Sequence, residues 1–171
     1  VVKGNTITMT GLNTENLLFS KTITLAPKGA KINFVSTITN KNKKPTTFRL
    51  VCRANYIADP NQSEFTVRQK DGNFVKAKHS FVEELAFRSY RPLRYRYDGD
   101  YRPVGALRLD KLVSGLTVEQ TFDDKELESI LITAYDKMKV TRIDLFTPER
   151  EVPPNGKIIM KHAMEFKEAA K

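Results

Sequence analysis

A period-two alternation of apolar residues, repeated in short segments divided by turn residues, limits this chain to few architectures. In Lys31–Thr39 (KINFVSTIT), Ile32, Phe34 and Ile38 share one face, while Lys31, Asn33, Thr37 and Thr39 point mostly the other way. Lys157–Phe166 repeats the pattern with Ile158, Met160, His162, Met164 and Phe166. Successive side chains of a strand point to opposite sides, so this period marks half-buried strands. Leu17–Leu25 leads through a Pro27-Lys28-Gly29 turn into Lys31–Thr39. In Thr46–Arg53, Phe48, Leu50 and Cys52 alternate with Arg49, Val51 and Arg53. These three segments predict an antiparallel meander.

Further strands are expected at Glu64–Arg68 and Asn73–Lys78 around the Lys70-Asp71-Gly72 turn, then at Ala106–Leu112, Thr117–Phe122 and Val140–Phe146. Pro153-Pro154-Asn155-Gly156 is the turn that feeds the last strand. Asp124–Met138 reads two ways. Leu127, Ile130, Leu131, Ala134 and Met138 fall at helical spacing behind an Asp123-Asp124 cap, while Ser129–Tyr135 makes an acceptable strand. The expectation is one all-β domain over residues 1–171, an antiparallel β-sandwich, with a helix near 124–138 as the alternative. Such a domain can also be a module of a larger polypeptide.

The 171 residues suffice for a core that needs no staples. The single Cys52 excludes a disulfide framework and a zinc site built from cysteines. Its alternation with Phe48 and Leu50 predicts a buried, inert thiol. No apolar run approaches the roughly 20 residues of a membrane-spanning helix, so no membrane insertion is expected. The eight glycines are scattered as turn punctuation, no loop is built to cradle phosphate, and no cofactor is expected. The chain opens Val1-Val2-Lys3-Gly4 without Met, as a processed or trimmed start would, and its compartment is not legible. An extracytoplasmic place follows only if the partner is a carbohydrate.

Charge is distributed unevenly. Residues 1–58 hold nine basic side chains, among them Lys41, Lys43 and Lys44, against the single acid Glu15, whereas the remaining residues nearly balance. A one-sided field of this kind steers nucleic acid, another polyanion or an acidic partner, or serves only as a solvated face. The densest chemistry lies in Arg88–Arg102, which includes Arg88, Tyr90, Arg91, Arg94, Tyr95, Arg96, Tyr97, Tyr101 and Arg102. Asp98-Gly99 predicts a two-residue hairpin turn that projects the last six of these beyond the sandwich. Arginine planes beside tyrosine rings suit stacking on sugars or bases and gripping of phosphates or carboxylates. They also suit a self-satisfied hairpin over a sheet edge. Catalytic arrangements are thin: His79 has no acid nearer in sequence than Glu83, and His162 falls on an apolar strand face. No triad or metal spacing is present, so no catalytic or metal residue is assigned.

Two stretches carry a resemblance. Thr22–Pro45 contains Thr39-Asn40-Lys41-Asn42-Lys43-Lys44-Pro45, and Ile143–Phe166 contains Phe146-Thr147-Pro148 followed by a Pro/Gly turn and a long strand. Both resemble galactose mutarotase-like β-sandwich domains, in which a strand ends in T-N-x-(S/N)-x-x-P and an aromatic-x-Pro segment precedes the closing strand. The resemblance implies carbohydrate handling, as a sugar epimerase or as an accessory sandwich of a polysaccharide-degrading protein. No motif for the epimerase's catalytic His and Glu surrounds His79 or His162, so no active-site residue carries over. The expected function is therefore a non-catalytic, carbohydrate-associated binding or accessory domain. Its expected contacts are a carbohydrate or polyanion at the Arg/Tyr segment and other domains of a parent protein. The alternative is a basic structural or nucleic-acid-associated subunit of a virion or ribonucleoprotein.

Overall fold

A computed structural model describes residues 1–84 and 92–168. Sixteen strands follow one another: β1 (Val2–Lys3), β2 (Thr6–Leu12), β3 (Leu17–Leu25), β4 (Lys31–Asn40), β5 (Thr46–Phe48), β6 (Val51–Ile57), β7 (Glu64–Arg68), β8 (Phe74–Lys76), β9 (Phe81–Glu84), β10 (Leu93–Tyr97), β11 (Ala106–Asp110), β12 (Leu116–Phe122), β13 (Ser129–Tyr135), β14 (Val140–Phe146), β15 (Arg150–Val152) and β16 (Lys157–Glu168). They form a nine-stranded sheet, ordered β1-β2-β3-β4-β16-β12-β11-β7-β8, and a five-stranded sheet, ordered β6-β14-β13-β10-β9. A short β15-β5 ribbon makes a third, small sheet. Every pairing is antiparallel. The chain has the expected all-β sandwich architecture.

The core lies between the two large sheets. Val67, Leu107, Val118, Ile158 and Met160 from one meet Ile130, Ile132, Ile143 and Leu145 from the other, all nearly or fully buried. Each such side chain contributes about 1.5–3 kcal/mol relative to exposure. His162 and Gln120 also face inward. Tyr56 donates to Gln120 Oε1 at 3.4 Å and to Met164 Sδ at 3.3 Å across the sandwich. Burial pushes the Tyr56 hydroxyl up, so it stays a neutral donor.

Two expectations are corrected. Thr46–Arg53 is not the third strand of a meander, because its halves belong to different sheets. Residues 46–48 pair with β15, and the chain then crosses to pair with β14 from residue 51 onward. The helix alternative near 124–138 is also corrected. Ile130, Ile132 and Thr133 form the central strand β13, which is buried on both faces between β14 and β10. Such a strand reads as a continuous apolar run, and that run overlaps helical spacing by coincidence. The Asp123 cap survives on a smaller scale: its carboxylate accepts from Lys125 N at 3.0 Å and starts one 3₁₀ turn.

Candidate functional site

Strand β10 divides the Arg/Tyr segment between two environments. Its register with β13 turns Tyr95 and Tyr97 toward the core, with exposed Leu93 on the same side, and Arg94 and Arg96 toward the outer face of the five-stranded sheet. The expected projecting hairpin does not form. Gly99–Tyr101 is a 3₁₀ turn, and β10 is locked between β9 and β13. Five-residue β10 gains two neighbours in the sheet, where an isolated hairpin would gain one, and two-stranded hairpins alone are marginal.

On the inner side, Tyr97 belongs to the core, with its ring 5.3 Å from Phe65, and burial pushes its hydroxyl up. Tyr95 is half-buried beside His79 at 5.2 Å. With Phe65, Ile132, Gln62 and Glu64 they line a cleft of about 490 Å³ where the sheets part.

On the outer side, residues from all five strands of the smaller sheet converge. Asp144 on β14 is buried although it faces outward. Arg53 on β6 donates to its Oδ1 at 2.7 Å, and Arg142 Nε lies 3.3 Å from its Oδ2. Arg142 also donates to Thr133 Oγ1 at 3.3 Å and lies over the Tyr135 ring at 5.4 Å. A buried carboxylate is costly unless paired, and two guanidinium groups supply the pairing. Across β10, Arg94 donates to Glu83 Oε1 at 2.9 Å. Where the face approaches the β5–β6 turn, a hollow of about 560 Å³ is lined by Arg49, Arg96, Asp98, Glu128, Leu131 and Phe146. Arg49 bridges Glu128 at 3.3 Å and Glu149 at 3.1 Å, while Arg96 holds Asp98 only loosely at 3.9 Å. Each of Arg49, Arg53, Arg94, Arg96 and Arg142 thus has a carboxylate within 4 Å among the described residues. The face is rich in directional donors and acceptors, yet these groups balance in charge.

The other expected contact residues disperse. Tyr101 is exposed, and Arg102 donates through Nη1 to the Leu127 carbonyl. Arg88, Tyr90 and Arg91 lie outside the described residues. Lys41, Lys43 and Lys44 sit on the β4–β5 turn, where Lys41 N donates to Asn16 O at 3.0 Å and its Nζ to Asn155 at 3.4 Å. The organiser of that turn is Asn40, which is fully buried. Its Nδ2 donates to Val152 O at 2.8 Å and Lys44 O at 3.0 Å, and its Oδ1 accepts from Asn42 N at 2.9 Å. Asn40 therefore explains why the T-N-x-N-x-x-P stretch has its form: the amide ties the end of β4 to β15. Residues 49, 53, 128, 142, 144 and 146 of the outer face had no signal as a group. One hint was local: Arg142 and Asp144 are charges inside the otherwise strand-like Val140–Phe146.

No protein-family model matches the sequence, and no curated protein matches it. Solved structures match it over nearly its whole length. An Escherichia coli K12 protein provisionally described as an aldose 1-epimerase shares 10% identity at a TM-score of 0.67, over 98% of this chain and 67% of that one. A galactose mutarotase-like protein from Clostridium acetobutylicum shares 8% at 0.61, over 95% and 62%. A TPR-domain containing protein from Parabacteroides distasonis shares 11% at 0.69, over 97% and 33%. The fold is the galactose mutarotase-like β-sandwich. This chain spans about two-thirds of the length of the first two proteins and one-third of the third.

Proposed function

We propose that this chain is a carbohydrate-binding β-sandwich domain without catalysis of its own, and that it holds a neutral saccharide on the arginine–carboxylate face. The observation that carries the reading is the hollow formed by Arg49, Arg96, Asp98, Glu128, Leu131 and Phe146. Guanidinium and carboxylate groups there can donate to and accept from vicinal hydroxyls, with an apolar floor for the C–H face of a sugar ring. Matched charge opposes a polyanion, which would need an excess of cations to release counterions. Binding without turnover is the reading because the carboxylates that line the hollow are each held by an arginine, Glu128 by Arg49 at 3.3 Å and Asp98 by Arg96 at 3.9 Å. Neither histidine is on this face, since His162 lies in the core and His79 at the inner cleft. The mutarotase-like fold supports the carbohydrate class.

The test is a two-dimensional NMR titration with neutral mono- and disaccharides, with galactose and glucose among them. Expected are shifts at Arg96, Leu131 and Phe146, an affinity nearly independent of salt, and a roughly ten- to hundred-fold loss in Arg96→Ala. Addition of the domain should leave the interconversion rate of galactose anomers at its background value. Steep salt dependence with heparin or RNA, or sugar shifts confined to His79 and Tyr95, would overturn the assignment.

A further inference from the structure

The two large sheets are unequal, and the mismatch leaves a definite space. β6 is the end strand of the five-stranded sheet, and it crosses above β4, β16 and β12. Cys52 lies beside Ser36 of β4, and Tyr56 reaches Gln120 of β12 and Met164 of β16. Strands β1–β3 therefore extend past β6, and no described residue of the five-stranded sheet covers their inward face. Register places Ile7, Met9, Gly11, Phe19, Lys21 and Ile23 on that face. Ile7, Met9 and Phe19 are 43%, 48% and 40% exposed. A hollow of about 260 Å³ lies between this floor and the β6 edge, lined by Met9, Gly11, Phe19, Lys21, Val51 and Cys52 among others.

Among the described residues no strand pairs with the outer edge of β6. Thr147 N donates to Leu50 O at 3.0 Å and Ala58 N to Lys139 O at 2.9 Å, so even-numbered residues of this stretch turn their backbone groups toward β14. Odd-numbered residues turn theirs outward. Ile57 O shows it by accepting from Val113 N at 3.1 Å, which also closes that end. Among the described residues Val51, Arg53 and Asn55 are left with outward N–H and C=O groups at the spacing of a sheet ladder.

We propose that the β6 edge and the β1–β3 floor form a docking groove for a single extended strand of a partner polypeptide, with apolar side chains inward and acidic side chains outward. Main-chain pairing would extend the five-stranded sheet, and alternate side chains would fill the hollow. Charge selects the outward residues. The added strand would run beside Arg53, with Arg142 on the next strand, and among the described residues these two guanidinium groups share the single carboxylate of Asp144. The partner is a strand and not a second copy of this chain. A twofold pairing of two β6 edges would bring both β1–β3 overhangs to the same side of the joined sheet, into the same space.

The probe is a fluorescein-labelled, strand-length peptide alternating valine and glutamate. Fluorescence polarisation should show saturable binding, at least ten-fold weaker for the valine–lysine counterpart. Hydrogen exchange of the free protein should be fast at Val51, Arg53 and Asn55 and slow at Cys52, Ala54 and Tyr56. The peptide should slow only the first set. Asn55→Pro removes one outward N–H at an edge position where proline is tolerated, and should abolish binding. Phe19→Glu, on the exposed floor, tests the same groove without touching the strand. Equal binding of both peptides, no binding, no new protection, or unchanged affinity in both variants would each overturn the proposal. So would a β6-dependent dimer in sedimentation.

Discussion

Across β4, the nine-stranded sheet passes from a covered half to an uncovered one. On the covered side Val67, Leu107 and Val118 are at most 2% exposed, in one core cluster with Ile130, Ile132, Ile143 and Leu145. On the other side Ile7, Met9 and Phe19 have the same alternation and comparable side chains, yet nearly half of each meets solvent. Alternation reports that a strand has two unlike faces. It does not report whether the chain itself supplies the second layer, because that depends on how many strands the opposite sheet has. Stability should follow the layer and not the pattern. Leu145→Ala, deep in the covered half, should cost about 3–4 kcal/mol, whereas Met9→Ala should fall within about 1 kcal/mol of wild type. Urea midpoints at unchanged m-value measure both. A Met9→Ala cost equal to that of Leu145→Ala would mean that the floor is covered in solution.

His162 sharpens the comparison at the boundary between the halves. Its ring stacks on Phe34 at 4.7 Å with planes 12° apart, and its Nδ1 has no hydrogen-bond partner among the described residues. Burial first, and then the nearby Lys21 charge, bring its pKa down to about 4 from an ordinary 6.5. Between those values the unfolded chain binds a proton that the folded chain refuses, so stability rises with pH across this window. The stabilisation is complete above about pH 6.5 and is lost as pH falls toward about 4, with a full span of about 3 kcal/mol. His162→Phe keeps the stack and removes the titration. Its urea midpoint should decline less between neutral and mildly acidic pH than the wild-type midpoint, with carboxylate effects common to both proteins. Parallel declines would mean that His162 is reached by water in the native state.

Legibility crossed that boundary, since Leu17–Leu25 on the uncovered side reads as a strand while the covered β13 reads two ways. Strands with one buried face, such as β4 and β16, were readable from alternation, and their hairpins from Pro27-Lys28-Gly29 and Pro153–Gly156. β2 carried no expectation, since Thr6–Leu12 mixes threonine, methionine and glycine and its apolar face meets solvent. β13 was ambiguous because a strand buried on both faces loses its period. In the Arg/Tyr segment the alternation of Arg94 and Arg96 with Tyr95 and Tyr97 was legible. Its destination was not, since Asp98-Gly99 suits a hairpin locally and only pairing with the distant β13 decides otherwise. The outer-face site needed β6, β10, β13 and β14 side by side. That adjacency joins residues up to 100 positions apart, such as Arg49 and Glu149.

Cys52 provides the finest probe of where the covered half ends. It is 6% exposed, on the inward face of β6 beside Ser36, and it also borders the hollow above β3. Burial raises its thiol pKa, outweighing the Ser36 hydrogen bond and the Lys21 charge that act the other way. Fewer thiolates are then present at mildly alkaline pH than in an unfolded chain, and the thiolate is the reactive form. Labelling by a disulfide reagent should therefore be slow in the native state and accelerate with urea below the unfolding transition, as local opening of the β6 edge becomes frequent. Cys52→Ala should cost only about 1 kcal/mol, because a small side chain at the rim of a hollow leaves little new void. The labelling rate separates two placements of the boundary. Slow labelling puts Cys52 inside the covered half, with the valine–glutamate peptide slowing it further by closing the hollow. Labelling as fast as in the unfolded chain would put the boundary beneath β6 itself, and the solvent-open region would then reach Ser36.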